Sequence, residues 1–223
     1  MHIEMMGLPG SGKTYFCRQV IERIRKNGAK SENLVDAGRT RFAYKVLYKI
    51  LRSAPPMTKE QKALRAGLQE IVAQDRGKTA NYNTVGIDSY IRDIEMLIRI
   101  KKRFSEQDHI YFLDEGIAQR IVTMGINYDL RMEQIHQLLD VLEPYIDETY
   151  YLEMDTDAAF ASIRKRNRNV CVMDRLNDED LRRFLTDYKK LCDVIADRIH
   201  AETISRGDEA ALAEKRFGFR SLD

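Results

Sequence analysis

The residues of this sequence that could do chemistry begin close to its amino terminus. Gly7, Gly10 and Gly12 precede Lys13 and Thr14 in a G-x-x-x-x-G-K-[ST] pattern. Glycines can adopt positive φ and let backbone N–H groups approach a phosphate, while the lysine supplies a point charge and the threonine hydroxyl can hold Mg²⁺. We therefore predict a phosphate-binding loop, whose candidate nucleotide contacts are Gly7, Leu8, Pro9, Gly10, Ser11, Gly12, Lys13 and Thr14.

The elements that must position this loop are predicted on both sides of it. Residues 2–6 form a short strand candidate, and apolar residues recur at helical spacing over 15–26. A strand-to-helix turn directs the free N-terminal amides and the positive end of the helix dipole at the phosphate. In that context we expect Lys13 to contact the β- and γ-phosphates of ATP and Thr14 to contact Mg²⁺.

Further along the chain, short apolar segments alternate with helical patterns. Strands are predicted over 33–37, 109–114, 148–153 and 199–204, and helices over 41–51, from a Thr58 capping box onward, over 87–104, 130–142, 157–166, a long stretch after 177, and 208–217. Such alternation is typical of a three-layer α/β fold with a mainly parallel sheet. Ligands of such sheets lie beyond the carboxyl ends of the strands, which predicts a site at that edge.

Two carboxylates follow the most apolar strand candidate. Asp114 ends that strand and Glu115 comes next. A nucleotide-Mg²⁺ complex needs a protein carboxylate beside Thr14, so we predict a metal-side role for Asp114; the alternative is a carboxylate that caps the next turn. Asp36, after the second predicted strand, is a further candidate at the same edge, or an ordinary loop cap.

A basic segment later in the chain could bind an anion. Arg164 and Arg168 are four residues apart and share a helical face, so that their guanidinium groups can converge on one phosphate. The alternative is a solvated basic face. No aromatic residues alternate with these arginines, which disfavours a nucleic-acid surface.

Together these motifs resemble those of the P-loop kinases of small molecules, in particular the thymidylate kinase and deoxynucleoside kinase group. The resemblance covers nearly the whole chain and rests on the loop at 7–14, on the strand end at 113–116 and on residues 151–153, which lead into the arginines at 163–168. It implies a P-loop NTPase fold in a single domain, 1–223, with a five-stranded sheet of order 2-3-1-4-5 flanked by helices. It also implies a helical acceptor-binding region at 41–104 and an arginine-rich lid at 164–176, in which Arg164, Arg168 and Arg175 contact the phosphates.

The acceptor of the phosphoryl group stays open. Thymidylate kinases carry an Asp-Arg pair and deoxynucleoside kinases a Glu-Arg-Ser where this chain has Asp114-Glu115-Gly116. A hydroxyl acceptor needs a carboxylate base, for which Asp36 is the first candidate and Glu115 the second. An acceptor that is already a phosphate needs arginines instead, and these candidates are Arg39, Arg41 and Arg120.

The predicted function is an ATP- and Mg²⁺-dependent phosphotransferase acting on a small molecule, most strongly a nucleoside or nucleoside monophosphate. A sugar or other metabolite kinase is the alternative, as is a P-loop ATPase or switch without kinase activity. Intact Lys13, Thr14 and Asp114 disfavour a binding protein without catalysis.

Composition narrows the class of protein without naming a ligand. The chain has 223 residues and a formal net charge of +2, and neither a signal-peptide pattern nor a membrane span is evident, so we expect a cytoplasmic protein without membrane or nucleic-acid partners. A homodimer is left open. The three cysteines lack metal-ligand spacing, which disfavours a zinc site.

Overall fold

A parallel sheet lies at the centre of the protein. The computed structural model describes residues 1–166 and 172–218, and in them the strands pair in parallel in the order β2-β3-β1-β4-β5. The strands are β1 (His2–Gly7), β2 (Lys30–Asn33), β3 (His109–Leu113), β4 (Glu148–Leu152) and β5 (Glu202–Ile204). Ile3 of β1 pairs with Phe112 of β3, and Met5 of β1 with Tyr150 of β4. The predicted fold class and strand order are confirmed.

Helices cover both faces of this sheet. They are α1 (Lys13–Lys26), α2 (Leu34–Thr40), α3 (Phe42–Ser53), α4 (Lys59–Ile71), α5 (Ile87–Arg103), α6 (Ile117–Tyr128), α7 (Met132–Leu142), α8 (Thr156–Lys165), α9 (Val172–Arg175), α10 (Asp178–Arg198) and α11 (Glu209–Phe217). α1 and α11 enclose one apolar core with Phe112 and Leu152 of the sheet. α5, α6 and α10 enclose the larger core on the opposite face. None of the described helices is long and apolar enough to cross a bilayer.

Several helices begin where their sequences place a cap. The Thr58 hydroxyl accepts a hydrogen bond from the Gln61 backbone N–H, and the Gln61 side-chain oxygen accepts one from the Thr58 backbone N–H, which is the predicted capping box. Asp155 caps α8 and Asn177 caps α10 in the same manner. Each side-chain oxygen satisfies a backbone N–H that has no partner within the helix, so the start of the helix is fixed locally.

The second strand is displaced from its predicted position. The prediction of a strand over 33–37 was wrong, because β2 ends at Asn33 and α2 begins at Leu34. The Asn33 side chain accepts a hydrogen bond from the Asp36 backbone N–H and so starts the helix. The apolar residues Leu34, Val35 and Ala37 are buried from a helix rather than from a strand. Asp36 therefore lies in the first turn of α2.

Two other helices differ from what periodicity indicated. The pattern predicted no helix between 116 and 130, yet α6 lies there with almost all of its side chains buried. Its polar residues Gln119, Thr123 and Asn127 recur every four residues on one face, but they bond to distant parts of the chain rather than to solvent. The helical period was therefore present in the sequence, and the prediction missed it. α3 is the reverse case: its apolar residues Phe42, Val46 and Ile50 are exposed, while Tyr48 and Leu51 pack toward the core.

Candidate active site

The phosphate-binding loop has the backbone geometry that its glycines predict. Gly12 has a φ of 91° and is the N-cap of α1, and the helix amides that follow it point out of the turn. Gly7 has a φ of 148°, and a Cβ built there would lie 2.6 Å from the Leu152 carbonyl oxygen of β4. Only glycine fits both the torsion angle and the close approach. The loop is thus held directly against the carboxyl end of the sheet.

Lys13 lies over the loop that precedes it. Its ammonium group donates hydrogen bonds to the carbonyl oxygens of Gly7 and Leu8, at 2.8 and 3.0 Å. Burial lowers the pKa of Lys13, and the negative charges of Glu115 and Asp114 only partly oppose that effect. The ammonium group therefore lies beside the loop, where phosphate oxygens would accept its hydrogen bonds in place of these two carbonyls.

Thr14 and Asp114 meet across the sheet edge, as the sequence predicted. The Thr14 hydroxyl donates a hydrogen bond to Asp114 Oδ2. Asp114 is fully buried, and its other oxygen, Oδ1, has no hydrogen-bond partner among the described residues. Burial also raises the pKa of Asp114, against the hydrogen bond from Thr14 and the charge of Arg39.

These two side chains fit a magnesium ion. Mg²⁺ prefers hard oxygen ligands and is commonly held by one or two protein groups together with phosphate oxygens. The unpartnered Asp114 oxygen and the adjacent Thr14 hydroxyl are such donors. The described residues contain no cluster of three or more His, Cys, Asp or Glu side chains that could hold a metal. Phosphate oxygens or water would have to fill the other coordination positions of an ion here.

Two of the predicted substrate arginines form ion pairs with Glu115. Arg39 of α2 pairs with it at 2.7 Å and Arg120 of α6 at 3.1 Å, while Arg39 also lies 3.7 Å from Asp114. Burial alone would raise the pKa of Glu115, but Arg120, Arg39 and Lys13 outweigh it and leave the pKa below its usual value. Arg120 also has a buried Nε without a partner in the described residues. Asp114, Glu115 and the two guanidinium groups thus form one charged cluster beside the loop.

Asp36 and Arg41 lie outside this cluster. Asp36 forms an ion pair with Arg18 of α1 at 2.9 Å, and Arg41 pairs with Glu32 of β2. Both line a separate polar groove between α1, β2 and α2. Neither Arg18 nor Glu32 was predicted: Arg18 lies one turn after Thr14 in α1 and Glu32 lies in β2, but no motif of the sequence marks either residue. The roles of Asp36 and Arg41 stay predictions.

The arginine-rich segment is described in part. Arg164, at the end of α8, pairs with Asp178 at 2.8 Å and donates to the Leu176 carbonyl at 2.7 Å. Arg175 ends α9, which follows the segment 167–171. Arg168 lies in that segment, outside the described residues. The predicted lid function of 164–176, the acceptor-binding role of 41–104 and the single-domain boundary 1–223 stay predictions.

Three side chains that the sequence did not reveal hold the loop from outside. Gln119 of α6 accepts a hydrogen bond from the Gly7 amide at 2.8 Å, Ser162 of α8 donates to the Gly10 carbonyl at 2.9 Å, and Arg206 donates to the carbonyls of Gly10 and Ser11. Arg206 had one available signal. It comes two residues after the last strand, and residues that follow parallel strands face the ligand edge of the sheet.

Comparison with known proteins identifies the fold. No family model matches the sequence, and no curated protein matches it either. A deoxyadenosine kinase from M. mycoides, solved with dCMP and a flexible dCDP, is 16% identical with a TM-score of 0.53; the match covers 98% of this chain and 97% of that one. The same kinase solved with dATP is 14% identical, with a TM-score of 0.50 over 98% and 99% of the two chains. At this identity the similarity concerns the fold: the protein has the fold of these P-loop kinase structures along nearly its whole length.

Proposed function

We propose that this protein is a kinase that transfers the γ-phosphoryl group of Mg-ATP to a small-molecule acceptor, a nucleoside or nucleoside monophosphate in the first place. The observation that carries the proposal is the pairing of Thr14 with the buried Asp114 beside Lys13. Nucleoside specificity is supported by the fold of the M. mycoides kinase, whose structures hold deoxynucleotides.

In this proposal each group beside the loop has a distinct task. The loop amides and Lys13 bind the β- and γ-phosphates, and Thr14 and Asp114 hold the magnesium ion. When bound between Thr14 and Asp114, Mg²⁺ would supply positive charge that neutralises the charge developing on the phosphates during transfer. Arg164 and Arg168 would close over the phosphates, with Arg164 leaving its present partner Asp178.

The carboxylate cluster favours Glu115 as the group that meets the acceptor. Glu115 shares Arg39 with the metal-side Asp114, whereas Asp36 is paired with Arg18 of α1. For a hydroxyl acceptor, Glu115 would take the proton as the new P–O bond forms. For a phosphate acceptor, Arg39 and Arg120 would bind the acceptor oxygens in place of Glu115.

The test is ADP release from Mg-ATP with separate pools of nucleosides, nucleoside monophosphates and sugars, and a control without acceptor. We expect release that depends on one pool and that is lost in Lys13→Met, with the variant still folded by circular dichroism. Equal release in every well, including the control, would identify an ATPase or switch and contradict the kinase. Release with sugars alone would support kinase activity and would show that the acceptor is a sugar rather than a nucleoside.

A further inference from the structure

Arg206 contacts the outer side of the phosphate-binding loop. It follows β5, and its guanidinium group donates from Nε to the Ser11 carbonyl at 2.7 Å and from Nη2 to the Gly10 carbonyl at 3.0 Å. The group lies so close to Gly12 that a Cβ there would be 2.9 Å from Nη2. One planar side chain thus spans two successive peptide groups of the loop, 195 residues or more away in the sequence.

The Gly10 carbonyl is held from a second direction as well. Ser162 of α8 donates its hydroxyl to this oxygen at 2.9 Å, so that both lone pairs of the carbonyl have a donor. The α-carbon of Gly10 packs against the same helix, since a Cβ there would be 3.0 Å from the Ala159 carbonyl oxygen. The orientation of this peptide is therefore fixed by two separate elements.

Fixing these carbonyls fixes the amides on the other side of the same peptides. A trans peptide group is planar, with its C=O and N–H pointing in opposite directions. Because Arg206 holds the Ser11 carbonyl outward, the Gly12 N–H is turned inward, toward the side on which Lys13 and the start of α1 lie. A loop with glycines at φ values of 84° and 91° has many accessible conformations, and ordering it in advance removes that entropic cost from binding.

The charge of Arg206 acts in the same direction. Its two hydrogen bonds to the loop are made to neutral carbonyls rather than to a carboxylate, so these bonds leave the guanidinium charge in place. A positive charge behind the peptide dipoles makes the amide side more attractive to an anion.

We propose that Arg206 is a positioning residue for nucleotide binding, which orders the loop by spanning the Gly10 and Ser11 carbonyls from outside. The inference rests on the proposed function, because it assigns the loop a phosphate ligand. It concerns the affinity of the loop for the nucleotide rather than the transfer step.

The experiment measures Mg-ADP binding to the full chain by calorimetry, without any acceptor. Arg206→Met removes both hydrogen bonds and the charge, and we expect Kd to rise about tenfold or more, which corresponds to about 1.4 kcal/mol. Arg206→Lys keeps the charge but cannot span two carbonyls, so its Kd should lie between those of the wild type and the methionine variant. In turnover assays the KM for ATP should rise while kcat changes less than threefold.

Arg216→Met is the matched control. Arg216 also donates two hydrogen bonds to one partner, Glu148, and a third to the Met1 sulfur, all at the opposite end of the sheet. Its Kd for Mg-ADP should stay within twofold of the wild type. An Arg206→Met variant that binds Mg-ADP as the wild type does would overturn the inference. So would an equal loss in both variants, which would indicate general destabilisation. Failure of the wild type itself to bind Mg-ADP would instead contradict the proposed function, and this inference with it.

Discussion

At the scale of single residues, the carboxylates of Glu115 and Asp36 differ in what holds them. Glu115 is bound by arginines from two helices, α2 and α6, and lies beside Asp114. Asp36 is bound by Arg18 of α1, a helix that packs on the other face of the sheet. Arg39 and Arg120 come from two different helices, so two separate elements bring positive charge to the carboxylates at the end of β3.

This difference makes a prediction about Glu115→Gln. If the acceptor is a hydroxyl, loss of the base should lower kcat by about 10²–10⁴-fold, the usual range for general base catalysis. If the acceptor is a phosphate, the amide should leave kcat within about tenfold, because Arg39 and Arg120 remain. The measurement is steady-state kinetics with the acceptor pool that supports ADP release.

Asp36→Asn is the paired variant for that measurement. The substitution removes a carboxylate that pairs with Arg18 and lies outside the cluster around Glu115. We therefore expect kcat to change by less than tenfold. A large loss with Asp36→Asn and a small one with Glu115→Gln would assign the base to Asp36 and contradict our preference for Glu115.

At the scale of elements, the start of α6 depends on a carboxylate in the middle of β1. Glu4 is fully buried, and its Oε2 accepts the Ile117 N–H at 2.7 Å while Oε1 pairs with Lys101 at 2.6 Å. Burial raises the pKa of Glu4, and Lys101 only partly opposes this rise. A Cβ at Gly116 would overlap the Glu4 carboxylate. Gly116 therefore leaves the space in which β1 and α6 are joined.

Gly116→Ala should consequently destabilise the fold. Gly116 has a φ of −79°, which alanine adopts freely, so the effect isolates the collision with Glu4. We expect a loss of about 1–3 kcal/mol in the free energy of unfolding, as for other overpacked interiors, measured by urea denaturation. Gly67→Ala in α4 is the control, since no atom lies within 4 Å of a Cβ there and alanine favours a helix. A Gly116→Ala variant as stable as the wild type would show that Glu4 is not required where it lies.

At the scale of the whole molecule, α3 carries an apolar stripe that no described part of the chain covers. Phe42, Val46 and Ile50 recur every four residues and are all exposed, Phe42 at 82%. Exposed apolar stripes of this kind are common at protein interfaces. If the protein forms the homodimer that its sequence leaves open, we predict that a second copy packs on this stripe.

Sedimentation velocity tests that prediction. We expect the wild type to sediment as a dimer at micromolar concentration and Ile50→Lys to sediment as a folded monomer, since its side chain is exposed. Val194→Lys, a change of an exposed apolar residue on α10, should leave the dimer intact. A monomeric wild type would rule out the homodimer.

The sequence by itself determined the features whose signals are local. The spacing of Gly7, Gly12, Lys13 and Thr14 predicted the loop, and the capping box at Thr58 predicted the start of α4. Alternation of apolar segments gave the α/β class, and the resemblance gave the strand order. Each of these patterns spans only a few residues, so it can be recognised in the sequence without knowledge of how the chain packs.

Only the tertiary structure decided which distant side chains meet. Asn33 could start a helix or end a strand, and burial of Leu34 and Val35 from α2 settled the choice. The convergence of Arg39 and Arg120 on Glu115 depends on how α2 and α6 pack against the sheet. The contact of Arg206 with Ser11 joins residues 195 positions apart. No periodicity or spacing encodes such pairs, because they arise from the relative placement of whole elements in the folded chain.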